Sequence, residues 1–267
     1  MIQVGLIGSG IGASRSPEMH EREGRALGLD VSYKLMDLDI SGLDLAAHLN
    51  AAQAAGFAGV NITHPCKQAV IALLDEVSPD AAAIGAVNTV VFSQGKRIGH
   101  NTDCYGFARS FRRGLPDASL ESVLLIGAGG AGCAIAHAMR ELDVKRLEIF
   151  DEDYARASSL AGRVGGYTVC ELKSCNGLIH ATPMGMANHP GMAVPRDFLR
   201  REMWVAEIVY FPMETDLLRV AREVGCRTLD GGGMAVYQAA KAFELFTGVK
   251  PDEGRMLREF TPLPALL

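Results

Sequence analysis

Short apolar runs bounded by glycine or polar turns alternate with amphipathic stretches along most of the chain. Residues 2–7, 31–37, 58–62 and 86–92 read as strands, 17–28 and 41–56 as helices, and a short helix starts at about 66. A brief strand from Arg97 to Gly99 leads to a helix at about 104–115, and Gly114-Leu-Pro-Asp-Ala-Ser119 reads as a linker. A second series follows, with strands at 122–126, 146–150, 167–170, 177–181, 203–209 and 226–229 and helices between most of them. Such alternation implies βαβ crossovers and mostly parallel sheets. Gly233 to Phe246 reads as an amphipathic helix with Ala239, Ala242, Phe243 and Phe246 on one side, stopped by Gly248, and a last helix follows Pro251. These terminal helices should return to the first domain, whose sheet otherwise lacks helical cover on one face. The pattern therefore predicts an α/β fold in two domains, 1–103 with 235–267, and 104–234.

Composition narrows the partners. With 48% apolar residues in a chain of 267, proper cores can be buried. The net charge of -5, with no basic cluster larger than Arg112-Arg113 or Arg200-Arg201, argues against nucleic acid and for a small molecule. The six cysteines, Cys66, Cys104, Cys133, Cys170, Cys175 and Cys226, form no C-x-x-C and no zinc-site spacing, so they read as reduced thiols. Met1 leads directly into the first strand without a charged and then apolar leader, and no run approaches the ~20 apolar residues of a membrane helix. The expectation is a soluble chain in the cytoplasm.

Candidate chemistry begins at Val123-Leu-Leu-Ile126, an apolar strand running into Gly127-Ala128-Gly129-Gly130-Ala131-Gly132. In this G-x-G-x-x-G turn Gly127 allows the tight bend, Gly129 lets the backbone approach a pyrophosphate, and Gly132 lets the following helix pack close. That helix, Ala131 to Leu142, would aim its N-terminus at the phosphates. A second strand, Arg146 to Phe150, ends on Asp151, which stands where a carboxylate can read a ribose. Because the turn lies more than 120 residues into the chain, another domain must precede it. Gly8-Ser-Gly10-Ile-Gly-Ala13 has the same spacing, with Asp37 at a passable distance, but no helix follows at once. Ser16 suits an N-cap and Pro17 the first helical position, so that helix starts too late to aim at a pyrophosphate. The hydroxyl-rich loop left behind suits either capping alone or a small polyhydroxylated or carboxylated ligand.

Three further polar clusters stand at strand ends, where open parallel sheets place their ligands: Asn61-Ile-Thr63-His-Pro-Cys-Lys67, Ala86-Val-Asn88-Thr89 and Asn101-Thr-Asp103. Alcohol dehydrogenation must remove a hydroxyl proton as hydride leaves the adjacent carbon, and Lys67 with Asp103 is the pair best suited to accept and orient it. The residues alone leave open an exposed lysine and an N-cap aspartate. His64, His100 and His180 have no carboxylate or cysteine at metal-ligand spacing, so no metal is predicted.

Taken in order, Ser14-Arg-Ser16-Pro, Asn61–Lys67, Gly85-Ala-Val-Asn88-Thr, Asn101-Thr-Asp103, the turn 127–132, Ala181-Thr-Pro-Met-Gly185 and Asp230-Gly-Gly-Gly-Met-Ala-Val-Tyr-Gln238 resemble the shikimate/quinate dehydrogenase family. The resemblance runs from Gly5 to about Leu257. It implies an N-terminal substrate-binding domain and a Rossmann-type dinucleotide domain, with the active site in the cleft between them. It also implies reversible NAD(P)-linked oxidation of a ring hydroxyl to the ketone of 3-dehydroshikimate or 3-dehydroquinate. On that resemblance Ser14 and Ser16 hold the substrate carboxylate, and Thr63, Asn88, Tyr210 and Gln238 complete the polar pocket. Lys67 and Asp103 bind the reacting hydroxyl and move its proton, and the nicotinamide lies near Ile208 and Gly231.

One departure bears on the cofactor. NADP-using members of the family carry Asn-Arg-Thr after the second strand of the cofactor domain, whereas this chain has Asp151-Glu-Asp153. A carboxylate accepts from a free ribose hydroxyl and repels a phosphate, so NAD is expected over NADP, with Arg156 the residue that keeps NADP open. Shikimate is the expected substrate and quinate a second one. An aminoshikimate dehydrogenase and a non-catalytic sensor of a dinucleotide and a polyol acid are the competing readings, and the chain is expected to be a monomer or a homodimer.

Overall fold

Each alternating series forms its own six-stranded sheet. The computed structural model describes residues 1–260, which divide into two units, Met1–Gly106 with the segment from Val236 onward, and Phe107–Ala235. The first unit contains β1 (Ile2–Gly8), α1 (Ser16–Ala26), β2 (Val31–Asp37), α2 (Leu38–Ser41), α3 (Leu45–Ala54), β3 (Gly59–Ile62), β4 (Glu76–Val77), α4 (Pro79–Ile84), β5 (Thr89–Ser93) and β6 (Lys96–His100). Its strands lie in the order β2-β1-β3-β5-β6-β4.

The departures from the periodic pattern have local causes. The helix expected over 41–56 divides because Gly42 is left-handed, at φ 65°, and Asp44 opens a new helix by accepting the Ala47 N–H. The apolar run 86–92 becomes a strand only at Thr89, since Gly85 ends α4 at φ 70° and the next residues form a connection. The helix expected from about 66 is a 3-10 turn at Ala69–Leu73. Strand β5 runs antiparallel to both neighbours. Its link to β6 is Gln94-Gly95, both at positive φ, a two-residue hairpin that leaves no room for a crossover helix.

The pleat of β1 sorts its side chains. Val4 and Leu6 pack with Tyr33 and with Ala242 and Phe246 of the C-terminal segment, while Ile7 packs with Met36, Leu49, Val60, Ile62 and Val70. Leu49 and Ile62 are fully buried, and each such side chain stabilises the fold by about 1.5–3 kcal/mol.

Helix α5 (Asp103–Gly114) leads into the second unit, with β7 (Ser122–Ile126), α6 (Gly130–Glu141), β8 (Arg146–Phe150), α7 (Tyr154–Val164), β9 (Tyr167–Thr168), β10 (Gly177–His180), β11 (Trp204–Glu207), α8 (Asp216–Val224) and β12 (Arg227–Leu229). Helices α9 (Gly231–Thr247) and α10 (Glu253–Phe260) follow. All pairings in this sheet are parallel, in the order β12-β11-β10-β7-β8-β9. That is the doubly wound arrangement, whose direction of winding reverses between β7 and β10. Leu124, Ile126, Leu178 and Val205 meet Leu217, Val220 and Ala221 of α8 in its core. Strand β11 stops at Glu207, two residues short of the expected 209, which leaves Ile208–Tyr210 in a loop. Among the described residues no helix is long and apolar enough to cross a membrane, and no group of three His, Cys, Asp or Glu side chains is placed to hold a metal.

Candidate active site

Register gathers the polar clusters of the first unit at one sheet edge. Ile7 is level with Ile62, Asn61 with Thr89, and Thr89 with His100, so the chain crosses that edge at Gly8, Thr63, Asn88 and Asn101. Lys67 Nζ donates to Asp103 Oδ2 at 2.5 Å, and the two side chains are 16% and 6% exposed. Asn88 Nδ2 donates to the other carboxylate oxygen at 2.9 Å. The orientation of that amide follows from the backbone: the Thr102 N–H can only donate, and it lies 2.7 Å from Asn88 Oδ1. Asn88 is buried and commits its amide to Asp103 and Thr102, which fixes the direction of the carboxylate.

Asp103 is the first residue of α5, yet another side chain caps that helix. Asn101 Oδ1 accepts from the N–H groups of Asp103 at 3.0 Å and Cys104 at 3.2 Å, and its Nδ2 is anchored on the Ala86 carbonyl. The carboxylate of Asp103 is thereby available to Lys67. On α9, Gln238 Oε1 receives the Thr102 hydroxyl at 3.5 Å, which joins Gln238 to the network around Asn88.

The remaining predicted ligands are placed separately. Ser14 Oγ donates to Ser16 Oγ at 3.2 Å and accepts the Ser16 N–H at 3.3 Å. Helix α1 starts at Ser16 itself, with Arg15 in the cap position and no side-chain cap bond, so Ser16 does not serve as the N-cap. Thr63 is half-buried and held by its N–H on the Ile7 carbonyl. In the Gly8–Ala13 loop, Asp37 accepts the Gly10 and Ile11 N–H groups, which ties the strand end to the look-alike turn. His100 is half-buried, and burial together with the Lys241 ammonium lowers its pKa. Tyr210 lies in the second unit, on the loop after β11, and is exposed.

In the second unit Ile126, Phe150, His180 and Glu207 are level across four parallel strands. Gly127, Asp151, Ala181 and Ile208 therefore begin the loops at the carboxyl edge of the sheet, where its winding reverses. Gly127 has φ 107°, and a Cβ there would stand 2.6 Å from the Ala181 carbonyl oxygen. Gly129 is the N-cap of α6, and a Cβ on it would enter open space. The early N–H groups of the helix, from Gly130, Ala131 and Gly132, have no partner within the helix and give this end its affinity for anions. A Cβ on Gly132 would strike the Gly127 carbonyl, so the third glycine serves packing. Asp151 is 10% exposed; its Oδ2 accepts the Ala128 N–H at 2.7 Å, and Arg156 lies 3.3 Å from Oδ1. The open cradle at Gly129, the helix N-terminus and the carboxylate closing the second strand fit a dinucleotide. Gly231 begins α9 beside Ile208, whose carbonyl oxygen would be 2.5 Å from a Cβ placed there.

A doubly wound sheet with this turn at its reversal point, accompanied by an α/β unit that carries a lysine–aspartate pair, defines a dinucleotide-dependent oxidoreductase. Comparison with known proteins is more specific. The model of the shikimate dehydrogenase substrate binding domain matches residues 6–90, that of shikimate / quinate 5-dehydrogenase residues 110–184, and that of the shikimate 5'-dehydrogenase C-terminal domain residues 231–259. The shikimate dehydrogenase (NADP(+)) of Streptomyces avermitilis is 51% identical over 97% of this chain and 95% of its own length. The quinate/shikimate dehydrogenase (NAD(+)) of Corynebacterium glutamicum strain R is 46% identical over 98% of this chain and 99% of its own. A solved structure, the quinate dehydrogenase from Corynebacterium glutamicum in complex with NAD, superposes with a TM-score of 0.89 at 46% identity and covers 98% of this chain and 99% of that one. The chain belongs to the shikimate/quinate dehydrogenase family.

Proposed function

We propose that this chain catalyses the reversible oxidation of shikimate to 3-dehydroshikimate with NAD, and takes quinate to 3-dehydroquinate as a second substrate. The observation that carries the reading is the Lys67–Asp103 pair at 2.5 Å in a chain that aligns with this family from end to end. Bound NAD supplies the hydride acceptor. Lys67 and Asp103 hold the reacting hydroxyl and take its proton, and Asn88 keeps the carboxylate aimed. Ser14 and Ser16 receive the substrate carboxylate, with Thr63, Tyr210 and Gln238 as further polar ligands. The turn Gly127–Gly132 faces the pyrophosphate, Asp151 accepts from the adenosine ribose and repels a 2′-phosphate, and Ile208 and Gly231 flank the nicotinamide.

Quinate as a second substrate is favoured by the NAD-linked relative, whose name carries both acids. A cytoplasmic setting accords with six cysteines that form no disulfide among the described residues. Steady-state kinetics with shikimate and quinate, each paired with NAD and NADP, test the assignment directly. Shikimate with NAD should give the highest kcat/KM. Lys67→Ala and Asp103→Ala should each lose about 10²- to 10⁴-fold in kcat while NAD still binds. Wild-type turnover in both variants would overturn the roles of this pair. Tight binding of NAD and shikimate without turnover would make the chain a sensor.

A further inference from the structure

A buried acid–imidazole pair lies at the carboxyl edge of the second sheet. His180 ends β10, Glu207 ends β11, and the two are level in the register. Their side chains are 1% and 0% exposed. His180 Nδ1 is 3.0 Å from both Glu207 oxygens, and its Nε2 is 2.5 Å from Thr182 Oγ1. Glu207 Oε1 also accepts the Val209 N–H at 3.1 Å, and Oε2 accepts the Thr215 hydroxyl at 3.2 Å. Donors thus surround a carboxylate that could not otherwise be buried. Because Glu207 offers only acceptors, His180 Nδ1 carries a proton and donates to it, while Nε2 is joined to the Thr182 hydroxyl.

The pair is set apart by what hangs from each end. Thr182 lies against the glycine turn: a Cβ on Gly127 would be 3.0 Å from Thr182 Cγ2 and 2.6 Å from the Ala181 carbonyl oxygen. Val209 lies against the start of α9: a Cβ on Gly231 would be 2.5 Å from the Ile208 oxygen and 2.8 Å from the Val209 oxygen. Gly185, on the first of these loops, also approaches the pair, with Glu207 Oε2 3.8 Å from where its Cβ would be. One hydrogen-bonded unit therefore ties the loop touching Gly127 to the loop touching Gly231.

We propose that His180 and Glu207 are positioning residues for the dinucleotide, setting through Thr182 and Val209 the spacing between the Gly127–Gly132 turn and the Ile208–Gly231 segment. This rests on the NAD reading above. The pair acts through backbone and is too deeply buried to touch the cofactor. Neither residue belongs to the first unit, which holds every proposed substrate ligand except Tyr210, so the effect should fall chiefly on nucleotide affinity.

The test combines NADH fluorescence titration, separate KM values for NAD and shikimate, and thermal melting. Glu207→Gln keeps the shape but puts an amide donor where the Val209 N–H, the His180 N–H and the Thr215 hydroxyl need acceptors. It should raise the Kd for NADH and the KM for NAD about tenfold, with the KM for shikimate within about twofold of wild type. Thr182→Val removes one hydroxyl from a half-buried loop and should raise the same two constants about threefold. His180→Asn retains a donor near the Nδ1 position and should lie between wild type and Glu207→Gln. Variants that melt earlier yet bind NADH like wild type would make the pair merely structural and overturn the proposal, as would equal losses for NADH and shikimate. If Glu207→Gln fails to fold, Thr182→Val decides. Wild-type protein that binds neither NADH nor NADPH would instead overturn the underlying cofactor reading.

Discussion

His20 is buried among the rings of Tyr33, Phe243 and Phe246, at centroid distances of 4.8, 5.9 and 6.0 Å. Among the described residues neither of its ring nitrogens has a hydrogen-bond partner, and burial lowers its pKa from 6.5 to about 3. The native state keeps this ring neutral, whereas the unfolded chain takes up a proton below pH 6.5. Stability should therefore fall as the pH drops from 6.5 towards 3, by about 1.4 kcal/mol for each pH unit. His20→Phe keeps an aromatic ring in the same space and removes the titration. Urea melts between pH 7 and 4 should show the variant losing less, and parallel curves would refute protonation at His20. At Asp151 the charge is the issue: Asp151→Asn keeps an acceptor for the Ala128 N–H and removes the repulsion of a 2′-phosphate. It should narrow the NAD-to-NADP ratio of kcat/KM by about tenfold or more, and an unchanged ratio would discard the carboxylate as the discriminator. Residue types at strand ends were legible in the chain, and so was the pairing of Lys67 with Asp103; the partners of the other strand-end residues were not. The carboxylate that meets His180 stands 27 residues further on, so no local spacing announces it.

Elements were legible where one periodicity held over a long stretch and were obscured where a single residue broke it. Gln94-Gly95 reverses the chain within two residues and makes β5 antiparallel, which the apolar run of 86–92 cannot reveal. The start of α5 is a second case. Either Asn101 or Asp103 could cap that helix on residue type, and only the folded geometry assigns the cap to Asn101. Asn101→Ala should cost about 1 kcal/mol of stability. Because Asp103 opens the same helix, the substitution should also lower kcat with shikimate about tenfold and leave the KM for NAD unchanged. Wild-type kcat in a destabilised variant would separate the cap from the chemistry.

At the scale of the molecule, the backbone passes from one unit to the other between Gly106 and Phe107 and again between Ala235 and Val236, inside α5 and α9. The Gly-Leu-Pro stretch at 114–116 marks the end of a helix, and composition could not distinguish that from a boundary between units. If the nucleotide binds the second unit as proposed, NAD at a hundred times its Kd should stabilise the native state by about 2.7 kcal/mol. Lys67→Ala, whose substitution lies in the first unit, should keep that shift in a thermal melt while losing turnover; a lost shift would mean that Lys67 supports the cofactor as well. The sequence by itself determined the α/β class, the two alternating series and the glycine turn with its helix, because periodicity reports burial and glycine reports backbone freedom. The pairing of Lys67 with Asp103 was already legible in the chain; only the tertiary structure decided that Asn88 stands behind them and that His180 meets Glu207. Those pairings follow from strand register and from loops that bring distant residues to a common sheet edge, and short-range spacing carries no record of either.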